Sequence, residues 1–276
     1  LNALKMATIN PVECYKLEKL GAIAPGYKAD FFIFEDLEDI QAKEVFLSGE
    51  KIAENGKTIV DFPQKLSSKV LSKMKVNEVS SKDLNLKLNK NKVNIIQMQK
   101  DSLLTKKVVR EVEIEDNHFK YSDDDIKKIA VIERHTGKST IAIGLIEGYD
   151  IKNGAIGTTI AHDSHNMIVI GDNDDDMVCV INKIREMGGG MAISSNSEII
   201  DCLKLDIAGI MSSDSIEDVE KNMKRLLKNA RKLGIKEGID PFMTMGFMAL
   251  PVIPEIKITD KGLFDVNNFK HIDIEA

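Results

Sequence analysis

Short apolar runs, some of them alternating with polar residues, recur through the middle of the chain. Such spacing is typical of β-strands, because successive side chains point to opposite faces and a strand buried on both faces is apolar throughout. We therefore predict strands at residues 93–98, 108–114, 126–133, 140–147, 155–161 and 167–170.

Two helices are predicted where apolar residues recur every three or four positions. The first covers residues 173–187, begins with acidic residues that suit the positive end of a helix dipole, and ends at a run of glycines. The second covers residues 214–233, where Asp214 and Glu217 have the spacing of a capping box and Gly234 ends the helix. Its expected buried stripe consists of Ile216, Val219, Met223, Leu226, Ala230 and Leu233. Strands followed by helix, strand and helix indicate a mixed α/β fold.

The first part of the chain follows a different pattern. A helix is predicted to end before Pro11, and a short second helix is predicted at residues 11–20. We expect a buried strand at residues 29–34 and a hairpin at residues 45–53. Residues 64–82 are rich in Lys and Ser and weakly periodic, which favours a linker or an exposed helix.

Charge and cysteine content narrow the class of protein. The chain of 276 residues carries 38 Lys and Arg against 44 Asp and Glu, a net charge of -6. Nucleic acid is not an expected partner, because binding phosphates requires a basic surface. The three cysteines are widely spaced, which indicates reduced thiols and a cytoplasmic location. No apolar run reaches the length that crosses a bilayer, so no membrane partner is expected.

A dense polar cluster separates two apolar runs: His162, Asp163, Ser164, His165 and Asn166. Polar groups next to strand ends cost free energy unless they are hydrogen-bonded or bind something. Two histidines three positions apart on a helix would suit a transition metal. The flanking runs predict strand ends, however, where positions three apart point to opposite faces. A hydrogen-bonding cluster, either structural or facing a substrate, is therefore the favoured interpretation over a metal site.

A second candidate lies at the end of the strand predicted at residues 126–133. Glu133, Arg134 and His135 follow apolar residues and precede a loop that contains glycine. Strand ends are where binding sites collect in α/β proteins, which makes Glu133 and His135 candidate site residues. The alternative is a charged strand exit that caps a turn, and the sequence does not decide between the two.

Several stretches resemble a known family. The stretch ATINPVECYKLEKLGAIAPGYKADFFIF resembles the exit of an amidohydrolase barrel into its small β-sandwich domain, with Val12 where an alanine is usual. The stretches AVIERHTGK, GAIGTTIAHDSHNMIVIGDNDDDM, IAGIMSSD and PFMTMGFMALPVIPEIKITDKGLFDV are similar to the C-terminal domain of bacterial adenine deaminases. The chain thus resembles the C-terminal portion of the adenine deaminase family within the amidohydrolase superfamily.

The resemblance implies a division of the chain into four segments. Residues 1–20 are expected to end a TIM-like barrel, residues 21–65 to form part of a small β-sandwich, and residues 66–82 to be a linker. Residues 83–276 are expected to be the α/β C-terminal domain of the adenine deaminase type. Neither an initiator methionine nor the family's His-x-His barrel motif is present, so we expect the chain to be part of a longer protein.

The resemblance also implies a reaction, the hydrolysis of adenine to hypoxanthine and ammonia. In that family a metal lowers the pKa of a water molecule, and the resulting hydroxide attacks C6 of the purine. A pair of Mn or Fe ions is expected in the barrel of the full-length enzyme, so we expect neither metal ligands nor deaminase activity in this chain alone. A role in purine salvage or adenine catabolism, a cytoplasmic location and a homo-oligomer are implied in the same way.

The candidate site residues acquire a hypothetical role from the resemblance. We hypothesise that they cover the barrel mouth and position the purine: His162, Asp163, Ser164, His165, Asn166, Glu133 and His135. The alternative for each is a packing role at a domain interface. For the chain as a whole, the alternatives are a non-catalytic module for dimerisation or stability and an amidohydrolase that acts on another cyclic amidine or amide.

Overall fold

The computed structural model describes residues 1–62, 66–71, 74–122 and 125–276. The chain divides into two compact units, Leu1–Lys65 and Leu66–Ala276. The boundaries of the four segments predicted from the sequence, including the assignment of residues 1–20 to a barrel, stay predictions. No helix among the described residues is long and apolar enough to span a membrane.

The first unit contains two short helices and a four-stranded antiparallel sheet. Its elements are α1 (Asn2–Ala7), α2 (Ile9–Cys14), β1 (Phe31–Ile33), β2 (Glu44–Leu47), β3 (Glu50–Glu54) and β4 (Lys57–Thr58). The strands lie in the order β1-β2-β3-β4. The hairpin predicted at residues 45–53 is confirmed, and Ser48 and Gly49 both have the positive φ that a two-residue type I′ turn requires.

The second short helix was predicted too far along the chain. It begins at Ile9 and ends at Cys14, so Pro11 lies within its first turn and does not start it. The first N–H groups of a helix have no partner within the helix, so a proline in the first turn leaves no hydrogen bond unmade.

The prediction of a buried strand at residues 29–34 is also wrong. β1 is shorter than predicted, and the side chains of Phe32 and Ile33 are 40% and 45% exposed. Phe31 stacks on Phe46 of β2 with ring centroids 4.6 Å apart, so aromatic packing covers Phe31 but leaves its two neighbours open.

The second unit is built on an eight-stranded sheet. Its strands are β5 (Lys92–Met98), β6 (Thr105–Glu111), β9 (Lys127–Ile132), β10 (Ile141–Glu147), β11 (Ala155–Thr158), β12 (Met167–Gly171), β13 (Gly190–Ser195) and β14 (Glu198–Lys204). They lie in the order β14-β13-β11-β12-β9-β10-β5-β6, and only β5 and β10 pair in parallel. The strands predicted at residues 93–98, 126–133, 140–147 and 167–170 are confirmed to within one residue or two at each end.

The remaining elements cover the sheet and extend its edges. They are β7 (Ile114–Glu115), β8 (His118–Phe119), α3 (Asp174–Met187), α4 (Ile216–Lys232), α5 (Met243–Gly246), β15 (Ile256–Thr259), β16 (Gly262–Asp265), β17 (Lys270–His271) and two 3-10 helices, Ser81–Leu84 and Phe247–Ala249. In β9, Ile129 and Val131 belong to the apolar cluster that contains residues of α4, whereas Ala130 and Ile132 belong to the cluster that contains residues of α3. The sheet is therefore buried on both faces, and the expected mixed α/β fold is confirmed.

Two strand predictions extend too far. The strand predicted at residues 108–114 begins earlier, at Thr105, and ends at Glu111. The strand predicted at residues 155–161 ends at Thr158, and residues 159–166 form a loop. This second difference matters for function, because the loop carries the polar cluster noted in the sequence.

Helix α3 follows its prediction closely. The Asn173 side chain accepts a hydrogen bond from the Asp176 N–H at 2.8 Å, and Gly188 ends the helix with a positive φ. Helix α4 is capped one residue later than predicted. Ser215, not Asp214, accepts the hydrogen bond from the Asp218 N–H at 3.1 Å.

The prediction that Ile216 is buried in the stripe of α4 is wrong, because its side chain is 80% exposed. Ile216 is the first residue of the helix, and helical side chains point back towards the N-terminus. Its side chain therefore extends beyond the end of the helix. Leu226 and Ala230, further along, are fully buried as predicted.

The segment predicted as a linker or exposed helix, residues 64–82, falls partly outside the described residues, at 64–65 and 72–73. In its later part, Val76 and Val79 are buried in the second unit. Asn182 of α3 holds the Val79 backbone through two hydrogen bonds, at 3.1 and 2.8 Å. Residues 74–80 are therefore not helical, and two of them are anchored in the second unit, so the exposed-helix interpretation is wrong for them.

Candidate functional site

The polar cluster lies on residues 159–166, which connect β11 to β12 and which we call the site loop. Thr159 begins the loop by leaving the sheet. Its hydroxyl accepts a hydrogen bond from the Gly190 N–H at 2.8 Å and donates one to the Gly209 carbonyl oxygen. The loop is thus tied at its start to two segments that lie later in the sequence.

The glycine run after α3 ends the helix, as predicted, and it also allows a close approach between two backbone segments. Gly189 has a φ of +129°, and a Cβ atom there would lie 2.5 Å from the Cα of Gly209. No side chain fits at that distance, so the close approach that brings Gly209 to Thr159 depends on glycine at position 189.

Arg134 holds the far end of the site loop. Its Nε donates a hydrogen bond to the His165 carbonyl oxygen, and its Nη2 donates to the Ala208 carbonyl oxygen at 3.0 Å. The side chain is only 7% exposed, and burial lowers the pKa of the guanidinium, which nevertheless remains charged at any physiological pH. Within the described part of the chain, no carboxylate forms an ion pair with Arg134.

Glu133 stabilises the turn that follows β9. Its Oε1 accepts hydrogen bonds from the His135 and Thr136 N–H groups at 2.5 and 2.8 Å, and its Oε2 accepts one from the Thr136 hydroxyl at 2.8 Å. Burial raises the pKa of Glu133, but these hydrogen bonds outweigh it and hold the pKa below its usual value. All three bonds lie within the turn, as the turn-capping interpretation requires.

His135 connects the turn after β9 to the polar cluster of the site loop. Its Nε2 donates a hydrogen bond to the Ser164 carbonyl oxygen at 2.8 Å, so the turn after β9 contacts the site loop. The structure therefore places the two groups of candidate residues side by side, although they are far apart in the sequence.

His162 packs against an aromatic ring from the C-terminal part of the chain. Its imidazole stacks on Phe247, with centroids 4.3 Å apart and planes 29° apart, and its backbone N–H donates to the Gly246 carbonyl oxygen at 3.1 Å. The rings of His162 and His165 are 6.1 Å apart. Asp163 and Ser164 are exposed.

His165 and Asn166 carry buried polar atoms without hydrogen-bond partners. The atoms are His165 Nδ1 and Asn166 Oδ1, and the Asn166 residue is only 4% exposed. Across the described residues only two other side-chain atoms share this property, Glu147 Oε2 and Arg185 Nε. Glu147 Oε2 lies 3.0 Å from the Nε of Arg110 in an ion pair, so its charge is compensated. Within that part of the chain, the site loop is the one place where two such atoms occur on consecutive residues.

The charges around His165 favour its neutral form. Burial lowers the pKa of His165, and the neighbouring His162, Arg134 and His135 lower it further. Only Asp163 acts in the opposite direction. At neutral pH the imidazole is therefore uncharged, and its Nδ1 serves as either a hydrogen-bond donor or an acceptor, depending on the tautomer.

The donor set does not fit a metal ion. Over residues 1–62, 66–71, 74–122 and 125–276, no three His, Cys, Asp or Glu side chains converge to hold one. The residues around His162 form turns, so the helical spacing that would bring His162 and His165 to one face is missing. The metal interpretation of this cluster therefore finds no support in its geometry.

Two residues of the site, Arg134 and Phe247, have roles that the sequence does not indicate. In the sequence Arg134 is only a neighbour of the candidates Glu133 and His135. It follows the fully buried strand β9 by two residues, however, and an arginine at such a position is a signal of a buried charge. Phe247 lies in a stretch rich in methionine that is typical of core filling, and nothing in the sequence links it to His162.

Comparison with known families and proteins adds independent information. Residues 102–270 match the family described as the adenine deaminase C-terminal domain, and residues 1–59 match the amidohydrolase family. The first match includes every candidate site residue.

Curated relatives align along nearly the whole chain. It is 46% identical to an adenine deaminase of Clostridium acetobutylicum and 40% identical to adenine deaminase 2 of Carboxydothermus hydrogenoformans, with 98% of the chain and 48% of each relative covered. It is 38% identical to an adenine deaminase of Listeria welshimeri, with 100% and 48% covered. The chain thus spans about half the length of the curated relatives that it matches.

Proposed function

Because this chain belongs to the adenine deaminase family, we propose that it forms the carboxyl-terminal half of an enzyme that hydrolyses adenine to hypoxanthine and ammonia. The site loop then faces the substrate and positions the purine for the reaction. His162, His165 and Asn166 contact or border the base, while Arg134 and His135 hold the loop.

One observation carries the role of the loop, namely the two buried polar atoms that lack partners, His165 Nδ1 and Asn166 Oδ1. Leaving a buried polar group unsatisfied costs about 1–3 kcal/mol. A site that binds a polar ligand retains such groups because the ligand supplies the missing hydrogen bonds. Packing at a domain interface is the competing explanation, and it requires another part of the protein to supply them.

The residues that bind the family's catalytic metal are proposed to lie outside this chain. The match to the amidohydrolase family implies a metal in the full-length enzyme, and the described residues here do not supply a ligand set. We propose that a pair of Mn or Fe ions is held elsewhere in the full-length enzyme and that this chain alone does not deaminate adenine. Its own contribution is to orient the purine and to exclude water around it.

The family also suggests a metabolic role, a cellular location and an oligomeric state. We propose that the enzyme acts in purine salvage or adenine catabolism, in the cytoplasm and as a homo-oligomer. A purely structural module and an amidohydrolase with another amide or amidine as its substrate are less favoured, because the curated relatives are named adenine deaminases.

The test is an assay of the full-length protein. Purified protein is incubated with adenine, and hypoxanthine and ammonia are quantified before and after treatment with a chelator and after Mn or Fe is restored. Equimolar formation of both products that is lost with the chelator and recovered with metal supports the proposal. Full-length, metal-loaded protein that forms no hypoxanthine would show the proposal to be wrong.

A further inference from the structure

An apolar groove lies at the end of the eight-stranded sheet that carries the site loop. At this end β11 and β14 finish and β13 begins, because Thr158 pairs with Met191 and Gly190 pairs with Lys204. The groove encloses about 440 Å³. Its lining comes from the site loop, from β14 and from α4, and includes Ile160, Leu203, Val219 and Met223. The groove therefore adjoins the site loop but is lined by apolar residues and not by the polar cluster.

Two large apolar side chains that line the groove are open to solvent. Ile216, the first residue of α4, is 80% exposed, and Met211, in the segment before the helix, is 55% exposed. Single exposed apolar residues are normal on a protein surface. Here, however, they border a groove that is itself apolar, and such a combination marks a surface to which another part of a protein binds.

The border of the groove is acidic. Asp214 lines the groove, and Glu217 and Asp218 follow within the first turn of α4; all three are exposed. Complementary charges stabilise an interface, and like charges brought together cost free energy. The groove thus fits a partner that carries basic side chains beside an apolar one. It does not fit a second copy of this chain that presents the same acidic border to it.

The polypeptide enters the second unit next to this groove. Leu71 pairs with Ile207, and the Val70 carbonyl oxygen accepts a hydrogen bond from the Ala208 N–H at 2.8 Å. Both contacts are made with the segment between β14 and α4, which also supplies Met211 to the groove. A part of the same protein that is joined through this connection has a high effective concentration at the groove, so a contact of modest strength suffices to hold it.

The chain spans 48% of the curated relatives, and its match to the amidohydrolase family covers only residues 1–59. Resting on the proposed function, we propose that the groove is the docking site for the amidohydrolase part of the full-length enzyme that precedes residue 1. That part places an apolar side chain beside Met211 and Ile216 and basic side chains against Asp214. The contact holds the end of the sheet that carries the site loop against the rest of the enzyme.

The experiment measures the accessibility of the groove in the full-length protein. The variant Ile216→Cys is compared with the control Phe269→Cys, whose position is 73% exposed and lies outside the groove. Each protein reacts with a maleimide that carries a benzophenone, and mass spectrometry of the digest resolves the introduced thiol from the native cysteines. The rate at each position is divided by its rate in urea.

The labelled Ile216→Cys protein is then mixed with an equal amount of isotope-labelled wild-type protein and irradiated. Mass spectrometry identifies the peptide to which the benzophenone is linked, and the isotope pattern shows whether that peptide belongs to the same copy. If Ile216→Cys does not fold, Met211→Cys takes its place.

We expect the thiol of Ile216→Cys to react at least about tenfold more slowly than that of Phe269→Cys, which corresponds to about 1.4 kcal/mol of protection. We expect the linked peptide to lie in the sequence that precedes residue 1 and to contain Lys or Arg. Equal rates at the two positions would overturn the proposal. A link to residues 1–276 of a second copy would overturn it as well and would identify an interface between copies.

Failure of the proposed function gives a different result. A full-length protein that shows the protection and the link but forms no hypoxanthine from adenine supports the docking site and contradicts only the proposed reaction.

Discussion

The buried guanidinium of Arg134 donates a hydrogen bond to the backbone carbonyl oxygen of His165, 31 residues further along the chain. A second bond from the same group reaches the Ala208 carbonyl. One charged side chain at the end of β9 therefore fixes both the site loop and the segment that packs against its first residue. Carbonyl oxygens, not a carboxylate, compensate the charge among the described residues.

Replacing Arg134 with glutamine is expected to destabilise the domain and weaken substrate binding. Two hydrogen bonds from a charged group are lost and two carbonyls lose their donor, so we expect the free energy of unfolding to fall by about 2–4 kcal/mol. Denaturant titration measures this change, and steady-state kinetics of the full-length enzyme should show a raised KM for adenine.

The control for this prediction is Lys92→Gln. Lys92 forms an exposed ion pair with Glu111 at 3.7 Å, and pairs of this kind contribute about 0–1 kcal/mol. If Arg134→Gln is no more destabilising than this control, Arg134 does not hold the loop.

His165 is expected to titrate below the ordinary histidine pKa of 6.5, because burial and three neighbouring groups disfavour its charge. The unfolded chain then binds more protons than the folded one between the lowered pKa and 6.5. Stability therefore falls as the pH decreases through this range and is fully present above it. NMR titration of the imidazole signals measures the pKa directly.

A matched variant separates this effect from general acid denaturation. His165→Asn cannot be protonated, so it should lose the part of the pH dependence that His165 causes. Asp163→Asn should lower the pKa of His165 further, since Asp163 favours the charged imidazole. A measured pKa at or above 6.5 for the wild type would contradict the electrostatic description of the site.

Glu133→Gln is expected to affect stability more than catalysis. The carboxylate accepts three hydrogen bonds within one turn, and an amide replaces one of its acceptor oxygens with a donor group. We expect a loss of about 1–2 kcal/mol in the free energy of unfolding. The kcat of the full-length enzyme should stay within about twofold of the wild type, which corresponds to a change of about 0.4 kcal/mol in the activation free energy. A kcat reduced by orders of magnitude with unchanged stability would instead indicate that Glu133 contacts the substrate.

Gly189→Ala is expected to disrupt the site through the backbone. A Cβ atom at this position would lie 2.5 Å from the Cα of Gly209, and the φ of +129° is unfavourable for alanine. We expect a loss of at least ~2 kcal/mol together with reduced activity. Gly262→Ala is the control, because it has a φ of +116° but no atom within 4 Å of the added Cβ. Equal losses in the two variants would mean that the close approach at Gly189 is unimportant.

Elements determined by neighbouring residues could be predicted from the sequence. In α3, the Asn173 cap, the buried stripe and the terminal glycine all lie within one short segment, and the helix matches its prediction. The N-cap of α4, in contrast, could not be predicted from neighbouring residues alone. Asp214 and Ser215 are both good capping residues, and only the packing of the helix decides between them.

The candidate site could be predicted only in part. The polar run from His162 to Asn166 is visible in the sequence because it interrupts apolar residues. The end of β11 is not visible, since Ile160 and Ala161 continue the apolar run and the strand ends because Thr159 bonds to distant glycines. The contact between Phe247 and His162 arises from tertiary packing and leaves no trace in local spacing.

The role of the site loop in substrate binding can be tested by measuring the kcat/KM of the full-length enzyme for adenine in His165→Ala, together with the melting temperature. His118→Ala, in the short strand β8 and outside the site loop, is the control for both quantities. We predict a loss of at least about tenfold in kcat/KM with a melting temperature close to that of the wild type, because the loop backbone is held without the imidazole. An unchanged kcat/KM, or a loss that only accompanies a lower melting temperature, would contradict the assignment of the site loop to substrate binding.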